Sequence, residues 1–445
     1  MELVRHLVYP PYEGGSLPPW YSDAGYPFTD AGAECLLELQ RSLGPVEDVA
    51  ATWRSSGSAP DIPFDEWTAT VKCRNGSGTF TLTGAKPKRF ARGGKPAPSP
   101  TREDEARIKP FVDRIAKQAR DEFAAARAKF TLSDRVPFLV TGASGNVGRA
   151  TVARLLSQGH RVRVMVRRVP EKPLSNVEYC FGNLGDPAAV DRAVKGAEIV
   201  IHIGAATKGG WPEHRVGTVL GTQHVIAACK KYGVKQLVYL SSMSVVDWAG
   251  SSDGAPIDES TALEPRPEER GAYTRAKLEA EQLVSAAKLP CVILRPGQIF
   301  GPGLPLINGA VARGVRDRWL VLGDGQLELP LVYIDDLLDA IDLAIAKKLV
   351  GGEVIQIIDP ERITQREVLA AAGGDKPIVA VPRRLVFALG KLTEIPFGVL
   401  RRQSPVAAYR LKSALARLHY ESDRARSLLG WQPRVGVREG MRRLI

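Results

Sequence analysis

VPFLVTGASGNVG, residues 136–148, joins a short apolar run to three glycines spaced three apart and then opens into a helical pattern. Val136 to Val140 suits a buried strand, and Val147, Val152, Leu155 and Leu156 supply the apolar side of the helix that follows. Gly142 permits a tight turn, Gly145 lets the backbone approach a pyrophosphate, and Gly148 allows helix and strand to pack closely. The helix N-terminus adds free N–H groups and a partial positive charge. Glycine-rich turns join many strands and helices without binding anything. The position between strand and helix is what makes this one an expected nucleotide site.

C-terminal to this stretch, strands and helices alternate. Arg161 to Val166, Glu178 to Phe181, Glu198 to Ile203, Gln236 to Leu240 and Cys291 to Leu294 read as strands, with helical stretches between most of them. Such alternation predicts an α/β fold, a doubly wound parallel sheet of Rossmann type with ligands bound beyond the carboxyl ends of its strands.

N-terminal to it, residues 1–83 have a different character. Asp30 to Leu43 has helical spacing and ends at Gly44-Pro45, and strands are expected at Val46 to Trp53, Trp67 to Cys73 and Thr79 to Thr83. Asn75-Gly76 marks a hairpin. A small α+β piece results. Residues 84–133 read as a basic linker, dense in charge, Gly and Pro up to Pro100, followed by an amphipathic helix that Pro110 opens and that ends near Phe130. The remaining residues, 134–445, make one domain, a Rossmann core followed by a smaller C-terminal substrate region.

Composition sets the outer limits. At 445 residues and 44% apolar content the chain can bury a sizeable core. Of the net charge of +12, thirteen Lys or Arg against six Asp or Glu between Gly84 and Phe130 supply +7, which argues against a nucleic-acid groove elsewhere. Five cysteines without a CxxC pair point to a reducing compartment. With no secretory signal and no membrane-spanning run, a cytoplasmic location is expected. No metal site is expected either. Asp335 and Asp336 begin a helix and read as N-terminal caps.

Chemistry gathers at the strand ends. Gln236 to Leu240 runs into Ser241-Ser242-Met243-Ser244, and thirty-one positions after Ser242 comes Tyr273, followed four later by Lys277 on the same helix face. Bringing a tyrosine from a pKa of about 10 to near 7 needs roughly 4 kcal/mol of phenolate stabilisation. A cation about 4 Å away at an effective dielectric near 20 supplies about that much. Lys277 is therefore expected to activate Tyr273.

TGASGNVG, SSMSVV, YTRAK, LRPGQIFGPG, LVYIDDLLDA and LGWQPR stand in the order found in the extended short-chain dehydrogenase/reductase superfamily, the NAD-dependent epimerase/dehydratase family, which residues 134–445 resemble. The resemblance implies a catalytic set of Ser242, Tyr273 and Lys277, with Ser241 and Ser244 as neighbours that could take the serine role. Tyr273 moves the proton, Ser242 bonds the same oxygen and a nicotinamide exchanges hydride at the carbon. Cofactor contacts are implied at Gly142, Gly145, Asn146, Val147, Gly148, Asn183, Leu184, Gly204, Ala205, Lys277 and Pro296. His202 matches a structural position.

After the second strand, where NAD binders place Asp or Glu, the chain carries Arg167 and Arg168, which suit a 2′-phosphate. NADP is the favoured cofactor and NAD the alternative. Gln298 in RPGQIFGP replaces the Asn of nucleotide-sugar members, which turns the expectation toward reductases of apolar alcohols and ketones. Gln298 and Trp211 are candidate substrate contacts. Leu385 to Leu400 reads as core helix, with an apolar lid or membrane contact as alternatives.

The N-terminal stretches DAGAECLLELQRSLGPVEDV and FDEWTATVKCRNGSGTFTLT resemble part of the C-terminal domain of the Gfo/Idh/MocA oxidoreductases. Where that family commonly reads Asp-x-Gly-x-His, this chain has Asp30, Gly32 and Glu34, so no catalysis is assigned there.

The expected function is NAD(P)-dependent oxidation or reduction of a hydroxyl or ketone on a small, apolar metabolite. A nucleotide-sugar epimerase or dehydratase with retained NAD, and a non-catalytic NAD(P) sensor, are the alternatives. The expected partners are a small-molecule substrate and a second copy in a homodimer, with a membrane surface a lesser expectation and nucleic acid none.

Overall fold

The computed structural model describes residues 2–6, 23–26, 28–54, 64, 66–83, 101–168, 170, 172–388 and 408–444. Two compact units result, one of residues 1–133 and 165–193 and one of 134–164 and 194–445.

In the first unit, β1 (Glu2–His6), β2 (Val46–Arg54), β3 (Glu66–Cys73) and β4 (Gly76–Thr83) form a sheet in the order β1-β4-β3-β2. Trp67, Ala69, Val71 and Cys73 alternate inward along β3. They meet Leu36 and Leu39 of α1 (Ala33–Leu43) and Ile108, Val112, Ile115 and Ala119 of α2 (Arg102–Ala128) in one apolar core. Cys73 pairs with Gly76, so Arg74 and Asn75 make the turn, one residue earlier than Asn75-Gly76 suggests.

Helix α2 starts eight residues before Pro110, which lies inside it. Thr101 accepts from the Asp104 N–H at 3.2 Å and the Asp104 carboxylate accepts from the Thr101 N–H at 3.2 Å, a capping box followed by an acidic first turn. Together with the burial of Ile108, Val112, Ile115 and Ala119 on either side of the proline, this cap holds the helix despite the missing N–H. The helix packs into the N-terminal core rather than serving as a connector. At its end Phe130 packs edge-on against Tyr179 and Phe181, with centroids 5.3 Å apart in each case.

Seven strands, β5 (Val136–Thr141), β6 (Val162–Val166), β7 (Val177–Phe181), β8 (Ala197–His202), β9 (Gln236–Leu240), β10 (Cys291–Pro296) and β11 (Gly351–Ile357), lie in the order β11-β10-β9-β8-β5-β6-β7. The pairs β5–β8, β8–β9, β9–β10 and β10–β11 are parallel. Every residue of β9 and β10 is buried, as expected of strands covered on both faces. The chain order reverses between β5 and β8, which is where such sheets bind ligands.

Asp336 does not cap its own helix. Its carboxylate accepts from the N–H groups of Arg434, Val435 and Gly436 at 2.7, 2.9 and 3.0 Å and so ties down the C-terminal loop. Of the apolar stretch from Leu385, Val386 is buried against Leu411 and Leu415, Leu385 is exposed, and residues 389–407 lie outside the described ones. Among the described residues no helix is long and apolar enough to cross a membrane.

Candidate active site

The glycine loop leaves β5 at Gly142, whose φ of +72° suits glycine; a Cβ there would come within 2.7 Å of Gly204 at the end of β8. A Cβ on Gly148 would come within 2.1 Å of the Gly142 carbonyl, so this glycine lets helix α3 (Asn146–Ser157) pack onto the loop. Gly145 differs. Nothing lies closer than 3.4 Å to a Cβ there, and it forms the N-cap of α3 without a side-chain cap. The first-turn N–H groups of Asn146, Val147 and Gly148 have no acceptor within the helix, so the loop has the form of a phosphate cradle.

Asn146 and Val147 reach elsewhere with their side chains. The Asn146 amide donates to the Gly303 carbonyl at 2.6 Å, and Val147 packs on the Phe300 and Tyr333 cluster. The Gly204 N–H donates to the Thr141 hydroxyl at 3.2 Å, with Ala205 following half-buried. Thr141 and Thr222 flank His202 at 2.7 Å on Nδ1 and 3.0 Å on Nε2. Burial pushes the His202 pKa down to about 3, so the ring is neutral and structural.

Ser242 follows β9 and accepts from the Ser244 N–H at 3.1 Å. Its side chain lies close enough to Tyr273, near the start of α4 (Ala272–Ala286), to lower the phenol pKa. Ser241 cannot take this role in the same way, because its hydroxyl donates to Glu281 at 2.5 Å. The Ser244 hydroxyl is buried without a partner.

Lys277 lies one turn beyond Tyr273. Its Nζ donates to the Leu240 carbonyl at 2.5 Å and stands 4.7 Å from the centre of the Tyr239 ring. Burial brings the lysine down to about 7, with Glu281 acting in the opposite direction. Tyr273 is 39% exposed, so a substrate can reach it.

The electrostatics correct one expectation. Desolvation raises the Tyr273 pKa and Ser242 lowers it less, while Lys277 has no part in the shift. A lysine turned toward a backbone carbonyl and stripped of water does not present the full charge that a separation of about 4 Å assumes.

Pro296 ends β10 and is buried. The Gln298 amide donates to the Leu306 carbonyl at 2.7 Å, which holds that loop. Trp211 opens a short helix (Trp211–His214) and stacks with Arg275 of α4, whose guanidinium lies 3.7 Å from the ring centre. The same turn carries His214, which sequence reasoning missed. Its ring stands edge-on to Tyr273 at 6.0 Å, and it is buried with an unpartnered Nδ1. Trp211 and His214 stand three apart in WPEH, a spacing that puts both on one side of a helical turn.

In the other unit, Asn183 follows β7, is buried and accepts from the Gly185 N–H at 2.8 Å, with Leu184 half-buried beside it. Arg167 is exposed and Arg168 half-buried in the bend after β6. Among the described residues no cluster of His, Cys, Asp and Glu is arranged to hold a metal ion.

A parallel sheet with a glycine cradle at its reversal point and a Ser, Tyr and Lys set at the neighbouring strand end defines a Rossmann-type oxidoreductase. Residues 138–357 match the model of the NAD dependent epimerase/dehydratase family. A 2-alkyl-3-oxoalkanoate reductase of Stenotrophomonas maltophilia is 34% identical over 324 residues, covering 69% of this chain and 97% of that protein. A sterol-4-alpha-carboxylate 3-dehydrogenase of Saccharomyces cerevisiae is 28% identical, covering 69% of this chain and 96% of that protein. The solved structure of MoeE5 with UDP-glucose and NAD shares the fold at 23% identity with a TM-score of 0.52, covering 69% of this chain and 96% of that one. The chain belongs to the NAD dependent epimerase/dehydratase family. Within it the chain is an oxidoreductase acting at a hydroxyl or ketone.

Proposed function

We propose that the chain reduces the ketone of a 2-alkyl-3-oxo acid, or oxidises the matching alcohol, with NADP as the preferred cofactor. The observation that carries this reading is Lys277, one turn beyond Tyr273, with its Nζ on the Leu240 carbonyl at the end of β9, where Ser242 follows. The two named relatives act on substrates that share one arrangement, a carboxylate on the carbon next to the reacting one. Gln298 in place of Asn agrees with a substrate other than a nucleotide sugar.

The chain's own groups divide the work. Ser242 holds the carbonyl oxygen by a hydrogen bond. Tyr273, kept protonated by its raised pKa, gives that oxygen its proton in reduction. Lys277 is placed to hold a cofactor ribose and to return a proton to the phenol. The glycine loop at Gly142, Gly145 and Gly148 would hold the pyrophosphate of a dinucleotide, whose nicotinamide would supply or accept the hydride. Arg167 and Arg168 hold a 2′-phosphate.

We place the protein in the cytosol as a homodimer. The five free, buried cysteines agree with the location, and the family resemblance suggests the dimer. Light scattering on the purified chain reads the dimer directly.

Calorimetric titration with NADP and NAD tests the cofactor. Wild type should prefer NADP, and Arg167→Ala should lose about tenfold or more of NADP affinity while NAD is unaffected. Equal loss for both would refute the preference.

A further inference from the structure

Glu264 lies in the sequence LEPRPEER, which reads as a solvated charged loop. Its side chain is instead wholly buried. One carboxylate oxygen accepts from Arg270 at 2.8 Å, and the other from the Arg266 N–H at 2.9 Å and the Tyr409 hydroxyl at 2.5 Å. Removing one donor from a buried carboxylate that accepts this many leaves the remaining groups without their partner.

Val245, Arg270 and Tyr409 tie Glu264 to three parts of the site. The Glu264 N–H donates to the Val245 carbonyl at 2.8 Å, in the turn that Ser242 caps. Arg270 immediately precedes Gly271, whose φ of +121° turns the chain into α4, two residues before Tyr273. Tyr409 belongs to a helix (Ala408–Ala414) of the C-terminal region. That helix also packs Leu411 against Leu327 and Val386, and its Arg410 donates to the Glu269 carbonyl at 2.6 Å. Arg270 in turn stands 5.0 Å from the centre of the Trp248 ring, and Arg266 stands 5.2 Å from that of Tyr409.

We propose that Glu264 is a positioning residue that joins the Ser242 turn, the start of the Tyr273 helix and the C-terminal region through Val245, Arg270 and Tyr409. Its link to catalysis rests on the reading of Tyr273 as the proton donor. Packing in the C-terminal region then sets where the phenol stands relative to Ser242.

The test uses the full chain with Tyr409→Phe, which removes one hydroxyl and leaves the Arg270 pair intact, and Glu264→Gln as a second variant. Amide hydrogen exchange read by mass spectrometry should quicken in Tyr409→Phe at residues 271–277 and 243–246 as well as at 408–414. With ethyl 2-methylacetoacetate and NADPH, kcat should fall about tenfold while the KM for cofactor stays within about twofold, the split expected when a reacting group is misplaced without loss of binding. Exchange that changes at 408–414 alone would overturn the proposal, whatever the kinetics. Wild type that turns over no ketone would count against the functional reading, and exchange would still decide the role of Glu264. If Glu264→Gln does not fold, Tyr409→Phe alone decides.

Discussion

The N-terminal unit and the unit that carries the strand ends bury different things. Around Phe28, Trp67 and Phe80 the described core contains no acidic or basic side chain, and pairs such as Arg107–Glu103 and Lys117–Asp121 stay at the surface. The other unit encloses Lys277, Glu281, Arg295, Glu264, His202 and His214. Burying a charge is costly unless it is paired, and exposed pairs contribute only about 0–1 kcal/mol each. A core to which no chemistry is assigned keeps its charges outside. Buried charges gathered beside Ser242 and Tyr273 mark the place where protons are handled.

Four variants test this contrast, from the largest expected effect to the smallest. Tyr273→Phe should lower turnover by about 10³-fold while the dissociation constant of the cofactor changes by less than about twofold. Near-normal rates would mean that the buried charges serve packing alone. Lys277→Met should lower turnover by about 10²-fold. It should also change how stability depends on pH. The folded pKa, about 7, lies below the ordinary 10.5, so between these values the unfolded chain binds more protons and wild-type stability rises with pH. The variant should lose that rise in thermal melts taken across the range, and an unchanged slope would show that Lys277 is not desolvated.

Trp67→Ala sharpens the other side of the contrast. Loss of a fully buried indole should destabilise the first unit by about 3–5 kcal/mol in urea titration while leaving kcat of the folded protein unchanged. A large drop in kcat would place catalysis partly in that unit. The double change Asp30→Ala and Glu34→Ala should alter turnover by less than about twofold, within the range of a surface change. Abolished turnover in a folded protein would assign chemistry to the N-terminal piece after all.

Much of this was legible in the residues. The glycine loop, β5 to β10 and the shared helix face of Tyr273 and Lys277 follow from local signals, since a strand, a tight turn and a helix face are each encoded within a few neighbouring residues, whereas the candidate role of Ser242 came from the family resemblance. What escaped depends on distant partners. Pro110 looks like a helix start, and only Thr101 with Asp104, on the far side of it, shows that the helix began earlier. The spacing of Tyr273 and Lys277 reveals a shared face but not that Nζ turns to the Leu240 carbonyl, which is why the expected lowering of the phenol was wrong in sign. Glu264 and Tyr409 are 145 positions apart, and nothing in either neighbourhood announces the other.

The most direct test of the central claim follows the hydride itself. Ethyl 2-methylacetoacetate incubated with the enzyme and NADPH dideuterated at C4 of the nicotinamide should give an alcohol with one deuterium on the carbinol carbon, and Tyr273→Phe should give almost none in the same time. Alcohol formed without deuterium, or the same labelled yield from the variant, would contradict the account.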